Sequence, residues 1–155
     1  MYLVIVVLLM LILPLGSVAA DLFLARSSSD AIVLVGKWFV FWAAGVRQFT
    51  AGVRQILWPR FTAEGIFGIK NRGPWPIVRE LGFANLSMGV LGVLSVAVSG
   101  LTRPAAIVSG LFFGTAGVAH VLRKQRNLAE NVATVSDLFL FVVLLFYLVW
   151  TTVRT

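Results

Sequence analysis

Cysteine is absent from the 155-residue chain. Its absence excludes disulfide bonds, thiol catalysis and thiolate metal sites, so redox chemistry would need a bound cofactor. Histidine occurs once, and charged side chains make up only 12% of the residues, against roughly 25% in an ordinary soluble domain. Apolar residues account for 59%, and a water-soluble fold of this length could not cover so much apolar surface.

The scarce charges leave several runs of about 18 to 23 residues nearly uncharged, each long enough to cross a hydrocarbon core as a helix. The pattern predicts an all-α integral membrane protein, a multi-pass helical bundle that forms a single domain over residues 1–155. The predicted spans are about 1–23, 31–52, 81–100, 105–122 and 132–153, with an interfacial loop over 58–80.

The first span also fits a signal peptide, because Val18 and Ala20 precede Asp21 in a cleavage-like pattern of small residues. Cleavage would leave four spans. We favour an uncleaved helix, since no Lys or Arg precedes the apolar stretch and the stretch is long for a secretory signal. A polar turn over 26–30 then leads to Asp30, which is predicted to cap the second helix.

The net charge of +7 fits nucleic-acid binding or membrane orientation. Basic residues that flank apolar spans are what orientation requires, so we favour the lipid bilayer as partner and no nucleic acid. Two loops on one side hold seven basic residues and the other side holds four: Arg60, Lys70, Arg72, Arg79, Arg123, Lys124 and Arg126 against Arg26, Lys37, Arg103 and Arg154. The N-terminus and both basic loops are therefore predicted to be cytoplasmic.

Small residues recur at steps of three and four in the third and fourth spans, which are joined only by residues 101–104. The recurring positions are Gly82, Asn85, Gly89, Gly92 and Ser95 or Ser99 in one span, and Ala106, Gly110, Gly114, Gly117 and His120 in the other. Faces of this kind let helices pack closely in lipid. We expect the two faces to touch, and such faces would also serve a homo-oligomer.

The short connection between the third and fourth spans determines how deep their residues lie relative to one another. Asn85 lies about 17 residues before the turn and His120 about 17 after it, so at about 1.5 Å per residue they are level. On the same count Glu80 is level with Lys124, and we expect Glu80 to pair with Arg123 or Lys124. A cytoplasmic-side polar cluster is predicted from Arg47, Arg54, Glu80, Asn85, His120, Glu130 and Asp137.

Each candidate has a structural and a functional interpretation. His120 is either a hydrogen-bonded structural residue or a ligand-binding group, and we favour the former. Arg47 and Arg54 fit lipid phosphates better than a site for an anionic substrate. A metal held by His120 with Glu80, Glu130 or Asp137 matches no known ligand spacing, and no catalytic arrangement stands out. No cofactor follows from the residues, and a lipid or quinone is the candidate.

Three segments carry a family resemblance: WPRFTAEGIFGI, IVRELGFANLSMGVLGVLS and GVAHVLRKQRNLAENVATVSDLF. They resemble an uncharacterised family of small bacterial multi-pass membrane proteins, filed as a domain of unknown function. More distantly the chain resembles the DoxX-like four-helix membrane proteins, some of which are tied to quinone-linked sulfur oxidation. The resemblance implies a bacterial inner (cytoplasmic) membrane location and places Glu80, Asn85, His120, Glu130 and Asp137 in family motifs. It implies no activity.

Three functions remain open. The first is a non-enzymatic bundle that binds a lipid-like or quinone-like ligand, or a partner, at the polar cluster. The second is an oligomeric small-solute transporter or channel, although no inverted repeat is evident. The third is a membrane enzyme or redox subunit with Glu80 and His120 as acid and base.

Overall fold

The computed structural model describes residues 2–25, 29–98 and 100–154, and within those ranges it contains helices and turns but no strand. In the described ranges, five helices are long and apolar enough to cross a membrane, which confirms the predicted all-α bundle with five candidate spans. They are α1 (Tyr2–Leu24), α2 (Ala31–Leu57), α3 (Trp75–Leu94), α4 (Thr102–Leu122) and α5 (Leu128–Val153). Residues 26–28 of the predicted polar turn and Ser99 of the predicted small-residue face lie outside the described residues.

Helices α2 and α5 begin at side-chain caps. The Asp30 carboxylate accepts a hydrogen bond of 2.8 Å from the backbone N–H two residues on, which confirms the predicted cap. Asn127 accepts one of 2.9 Å from the N–H of Glu130. Further along, α2 widens into a π-type turn over Phe39–Val46, immediately before Arg47. Such turns are frequent at functional sites.

The predicted loop over 58–80 is partly helical. It contains the short helical segment Phe61–Ile66, and α3 starts at Trp75 instead of Leu81. Pro76 lies in the first turn of α3, where a missing N–H costs no hydrogen bond. Helix α3 therefore begins before the predicted span, which started at about residue 81.

The glycine face of α3 packs against α2. A Cβ built on Gly92 would lie 2.6 Å from the Cα of Gly45, and one built on Gly82 would lie 3.0 Å from the carbonyl oxygen of Gly52. Side chains at these positions would collide with backbone, so the absence of side chains lets α2 and α3 approach closely.

The glycine face of α4 instead receives side chains from α5. A Cβ on Gly114 would lie 2.8 Å from the Phe141 ring, and one on Gly117 would lie 2.6 Å from Leu138. The predicted contact between the glycine faces of α3 and α4 is therefore wrong, because a short connection makes two helices neighbours without fixing which faces they turn toward each other. The faces expected to serve a homo-oligomer are covered within the chain.

Polar groups occupy both ends of the bundle. The apolar core lies between these two ends and includes Val40, Leu140 and Leu144, which are fully buried. One end holds the predicted cluster. At the other end Lys37 pairs with Asp21 at 2.9 Å, and Arg154 pairs with Asp30 at 2.9 Å. The predicted cluster is thus one of two polar regions among the described residues.

Candidate ligand-binding cavity

A cavity of about 810 Å³ lies between the helices at the end where α1, α3 and α5 begin. All five helices and the segment Phe61–Ile66 contribute to its wall. Small-molecule sites typically enclose roughly 300–1,000 Å³ and combine apolar walls with a few polar groups. The charged, histidine and amide side chains in this otherwise mainly apolar wall are Arg47, Gln48, Arg54, Gln55, Asn85, His120, Arg123 and Asp137.

Arg47 and Asp137 form an ion pair on the cavity wall, with 2.7 Å between Nη2 and Oδ1. Their side chains are only 14% and 8% exposed, respectively, so each charge is balanced mainly by the other. Ser136 accepts a further hydrogen bond of 2.9 Å from the same guanidinium nitrogen. Ionisable groups within membrane spans are costly unless paired. This inner ion pair therefore neutralises one of the cations at the cavity.

Buried amides join α2 to α3 and α4 beside the cavity. Asn85 donates from Nδ2 to Oε1 of Gln55 at 2.8 Å, and the Ser109 hydroxyl donates to Oε1 of Gln48 at 2.9 Å. The other side-chain atom of Asn85, Oδ1, is buried and accepts no hydrogen bond from the described residues. A buried acceptor without a partner costs about 1–3 kcal/mol, so a ligand that supplied a donor there would be stabilised.

Glu130 binds two basic side chains that line the cavity. Its Oε1 lies 3.1 Å from Nδ1 of His120 and 3.0 Å from Nη1 of Arg123, and its side chain is 2% exposed. The Phe67 ring stacks on His120 with 6.1 Å between ring centres, and the Phe67 carbonyl accepts a hydrogen bond of 3.1 Å from Arg123. This outer triad of Glu130, His120 and Arg123 anchors the chain after Phe61–Ile66 to α4.

Arg54 is the third arginine of the wall. Its guanidinium carbon lies 3.4 Å from the centre of the Phe61 ring, a favourable contact between a cation and an aromatic face. Within the described part of the chain, no carboxylate forms an ion pair with Arg54. Among the described residues, Arg54 is thus a cation of the cavity wall without an acidic partner.

A family of unknown function designated DUF6790 matches the chain over residues 4–155. The chain belongs to the DUF6790 family. No curated protein and no solved structure matches it. Membership in DUF6790 supports the predicted resemblance to an uncharacterised family, whereas none of these comparisons shows the more distant DoxX-like resemblance.

The structure brings most of the predicted cluster of this DUF6790 protein to the cavity. Five of the seven predicted residues line its wall, and Glu130 lies outside the wall but is bonded to His120. The five are Arg47, Arg54, Asn85, His120 and Asp137. Asn85 and His120 face the same cavity but do not form the expected pair, because Asn85 bonds to Gln55 and His120 to Glu130. The number of residues between a side chain and the turn determines how deep the side chain lies, but it does not determine the direction in which the side chain points from the helix axis.

Glu80 departs from the prediction. It is exposed on α3, lies outside the cavity wall, and forms no ion pair among the described residues. Arg123, its expected partner, binds Glu130 instead. A buried carboxylate is a better partner for a cation than an exposed one because solvent screens the attraction less.

Sequence reasoning missed Gln48 and Gln55, which are 1% and 8% exposed. Each follows an arginine in the repeated AGVRQ segment, seven residues apart. The signal was available, since an amide in an apolar span needs a hydrogen-bond partner much as a charge does.

The described residues contain no group of three His, Asp or Glu side chains placed to hold a metal ion.

Replacing Glu130 with glutamine is expected to lower the free energy of unfolding by about 2 kcal/mol, because hydrogen bonds to charged groups contribute roughly 1.5–3 kcal/mol. Reversible unfolding in mixed micelles would measure the change. Glu64→Gln is the matched control, since Glu64 pairs at 2.9 Å with an Arg60 side chain that is 72% exposed, and exposed pairs contribute about 0–1 kcal/mol. Equal losses in the two variants would contradict a structural role for the outer triad.

Proposed function

We propose that this DUF6790 protein is a non-enzymatic membrane bundle that binds an amphiphilic molecule, lipid-like or quinone-like, inside the cavity. The observation that carries the proposal is a mainly apolar cavity of about 810 Å³ with a small set of charged and amide groups in its wall, four of them on α2. Such a wall suits a molecule with an apolar body and one polar end. The DoxX-like resemblance, where quinone-linked chemistry occurs, is compatible with the same ligand class.

We further propose that the protein resides in the bacterial cytoplasmic membrane with the cavity end on the cytoplasmic side. The basic residues of the 58–80 and 123–127 segments support this orientation, because cytoplasmic loops carry an excess of Lys and Arg. The aromatic side chains Trp58 and Trp75 at that end suit an interface with headgroups.

Binding is favoured over transport and over acid–base catalysis. A transport path would have to cross the half of the bundle where Val40, Leu140 and Leu144 are fully buried. A reaction that used Glu80 with His120 would need both at the ligand, whereas Glu80 lies outside the cavity wall.

The proposal is tested by filling the cavity. Native mass spectrometry of the detergent-extracted protein is expected to show a retained or added lipid or quinone, and Ala116→Phe, which places a ring in the cavity wall, is expected to abolish that binding. Ala84→Phe is the matched control, because Ala84 is exposed on α3 and does not line the cavity. Unfolding measurements would show whether Ala116→Phe is folded. Equal binding by the two folded variants would overturn the proposal.

A further inference from the structure

We infer that the ligand is an anionic amphiphile, and that Arg54 holds its phosphate or carboxylate head at the edge of the cavity. The inference rests on the proposed function and narrows it from amphiphiles in general to those with a negative head. Neutral quinones fall outside it.

The charge balance of the wall is the first argument. Asp137 pairs with Arg47 at 2.7 Å, and Glu130 pairs with Arg123 at 3.0 Å. Arg54 has no such partner in the described part of the chain, although it lines the same cavity. An anion in the cavity would therefore meet a cation that no protein carboxylate already neutralises.

The setting of Arg54 is the second argument. Its guanidinium rests 3.4 Å from the Phe61 ring centre, so an aromatic face fixes the group in place without offering it an oxygen acceptor. Guanidinium presents five N–H donors in a planar fork that matches carboxylate and phosphate oxygens. The described residues supply no hydrogen-bond acceptor to these donors, and we assign them to the ligand.

Asn85 gives an independent indication that a ligand group is expected nearby. It lines the cavity, is 4% exposed, and its Oδ1 has no donor among the described residues. Its Nδ2 is bonded to Gln55, the residue next to Arg54 in the chain. A head group that carries a hydroxyl as well as a negative charge would satisfy both Asn85 and Arg54.

Depth agrees with this assignment. Arg54 lies three residues before Leu57, where α2 ends, which is roughly 4.5 Å along the helix axis. The bundle end is where lipid headgroups lie in a membrane, and the apolar side chains of Leu8, Leu9 and Phe112 continue the cavity wall away from it. A head at Arg54 would place an acyl or similar chain along that apolar wall.

The test compares probes that differ in head group. Delipidated protein is titrated in native mass spectrometry with dioleoyl phosphatidylglycerol, dioleoyl phosphatidylcholine, oleate, decylubiquinone and inorganic phosphate. We expect the phosphatidylglycerol and oleate to bind about tenfold or more tightly than the phosphatidylcholine, because the choline cation of phosphatidylcholine opposes the attraction between its phosphate and Arg54. If inorganic phosphate alone binds with the same dependence on Arg54, the site binds the free anion, and the inference of an amphiphilic ligand is overturned.

Arg54→Gln is expected to remove this preference, Arg54→Lys to keep most of it, and Arg79→Gln to leave it unchanged, since Arg79 is exposed and lies outside the cavity wall. Unfolding curves for the variants establish that each is folded. Equal binding of the two phospholipids, or an equal loss in Arg54→Gln and Arg79→Gln, overturns the inference. If decylubiquinone binds, Ala116→Phe abolishes that binding and no anion is preferred, the inference is overturned but the proposed function stands. If no probe binds, both are overturned.

Discussion

Asp137→Asn is expected to lower the free energy of unfolding by about 3–5 kcal/mol, the range for removing one partner of a buried ion pair. Asparagine keeps the size of the side chain but not its charge. Arg47 would remain 2.7 Å from a neutral group, in a position where only 14% of its side chain is exposed to solvent. The charge would then have to be desolvated without compensation.

Reversible unfolding in mixed micelles would measure this loss. Asp21→Asn is the control, because Asp21 pairs with Lys37 at the opposite end with side chains 23% and 36% exposed, and a pair of that exposure contributes about 0–1 kcal/mol. The double variant Arg47→Met with Asp137→Leu is expected to recover most of the stability, since apolar replacement of a whole buried pair is often neutral. If Asp21→Asn cost as much as Asp137→Asn, the inner ion pair would have no special role.

Gly92→Ala is expected to lower the free energy of unfolding by about 3 kcal/mol, the upper end of the range for an overpacked contact. The new Cβ would lie 2.6 Å from the Cα and 2.8 Å from the N of Gly45. Backbone cannot rotate out of the way as a side chain can, so α2 and α3 would have to separate along much of their contact.

Gly16→Ala provides the matched comparison for this prediction. Gly16 also lies within a helix, but nothing outside its own helical neighbourhood comes within 4 Å of a Cβ placed there. Alanine is favoured over glycine in a helix interior by about 0.5–1 kcal/mol, so this variant should be neutral or slightly more stable. The same unfolding assay measures both, and a loss of stability in Gly16→Ala comparable to that in Gly92→Ala would refute the close-packing explanation.

The helical architecture could be predicted because it depends on local properties. Charge-free runs of sufficient length identify the helices, and the Asp30 cap follows from residue type and position. The partners of the helices could not be predicted in the same way. The spacing of Gly82, Gly89 and Gly92 shows that α3 has a close-packing face, but nothing in that spacing says that α2 covers it.

The sequence could predict which residues belong to the candidate site, but it could not predict which of them form pairs. A polar residue in an apolar span must find a partner, so Arg47, Asn85 and Asp137 could be assigned to one cluster. Which atoms form pairs depends on the rotation of each helix about its axis and on competition between possible partners. Arg123, for example, pairs with Glu130 instead of Glu80. The unpaired Oδ1 of Asn85 depends on the same tertiary geometry and has no local sequence signal.

The segment Phe61–Ile66 also determines how a ligand would reach the cavity. Asn127 donates hydrogen bonds of 3.0 and 3.1 Å to the carbonyls of Gly65 and Ile66, so the start of α5 ties this segment across the end of the bundle. The exposed lining residues Ile5, Thr115 and Ala119 lie instead on the flanks of α1 and α4. A ligand would therefore arrive sideways, between α1 and α4, and its local concentration within the membrane would govern occupancy.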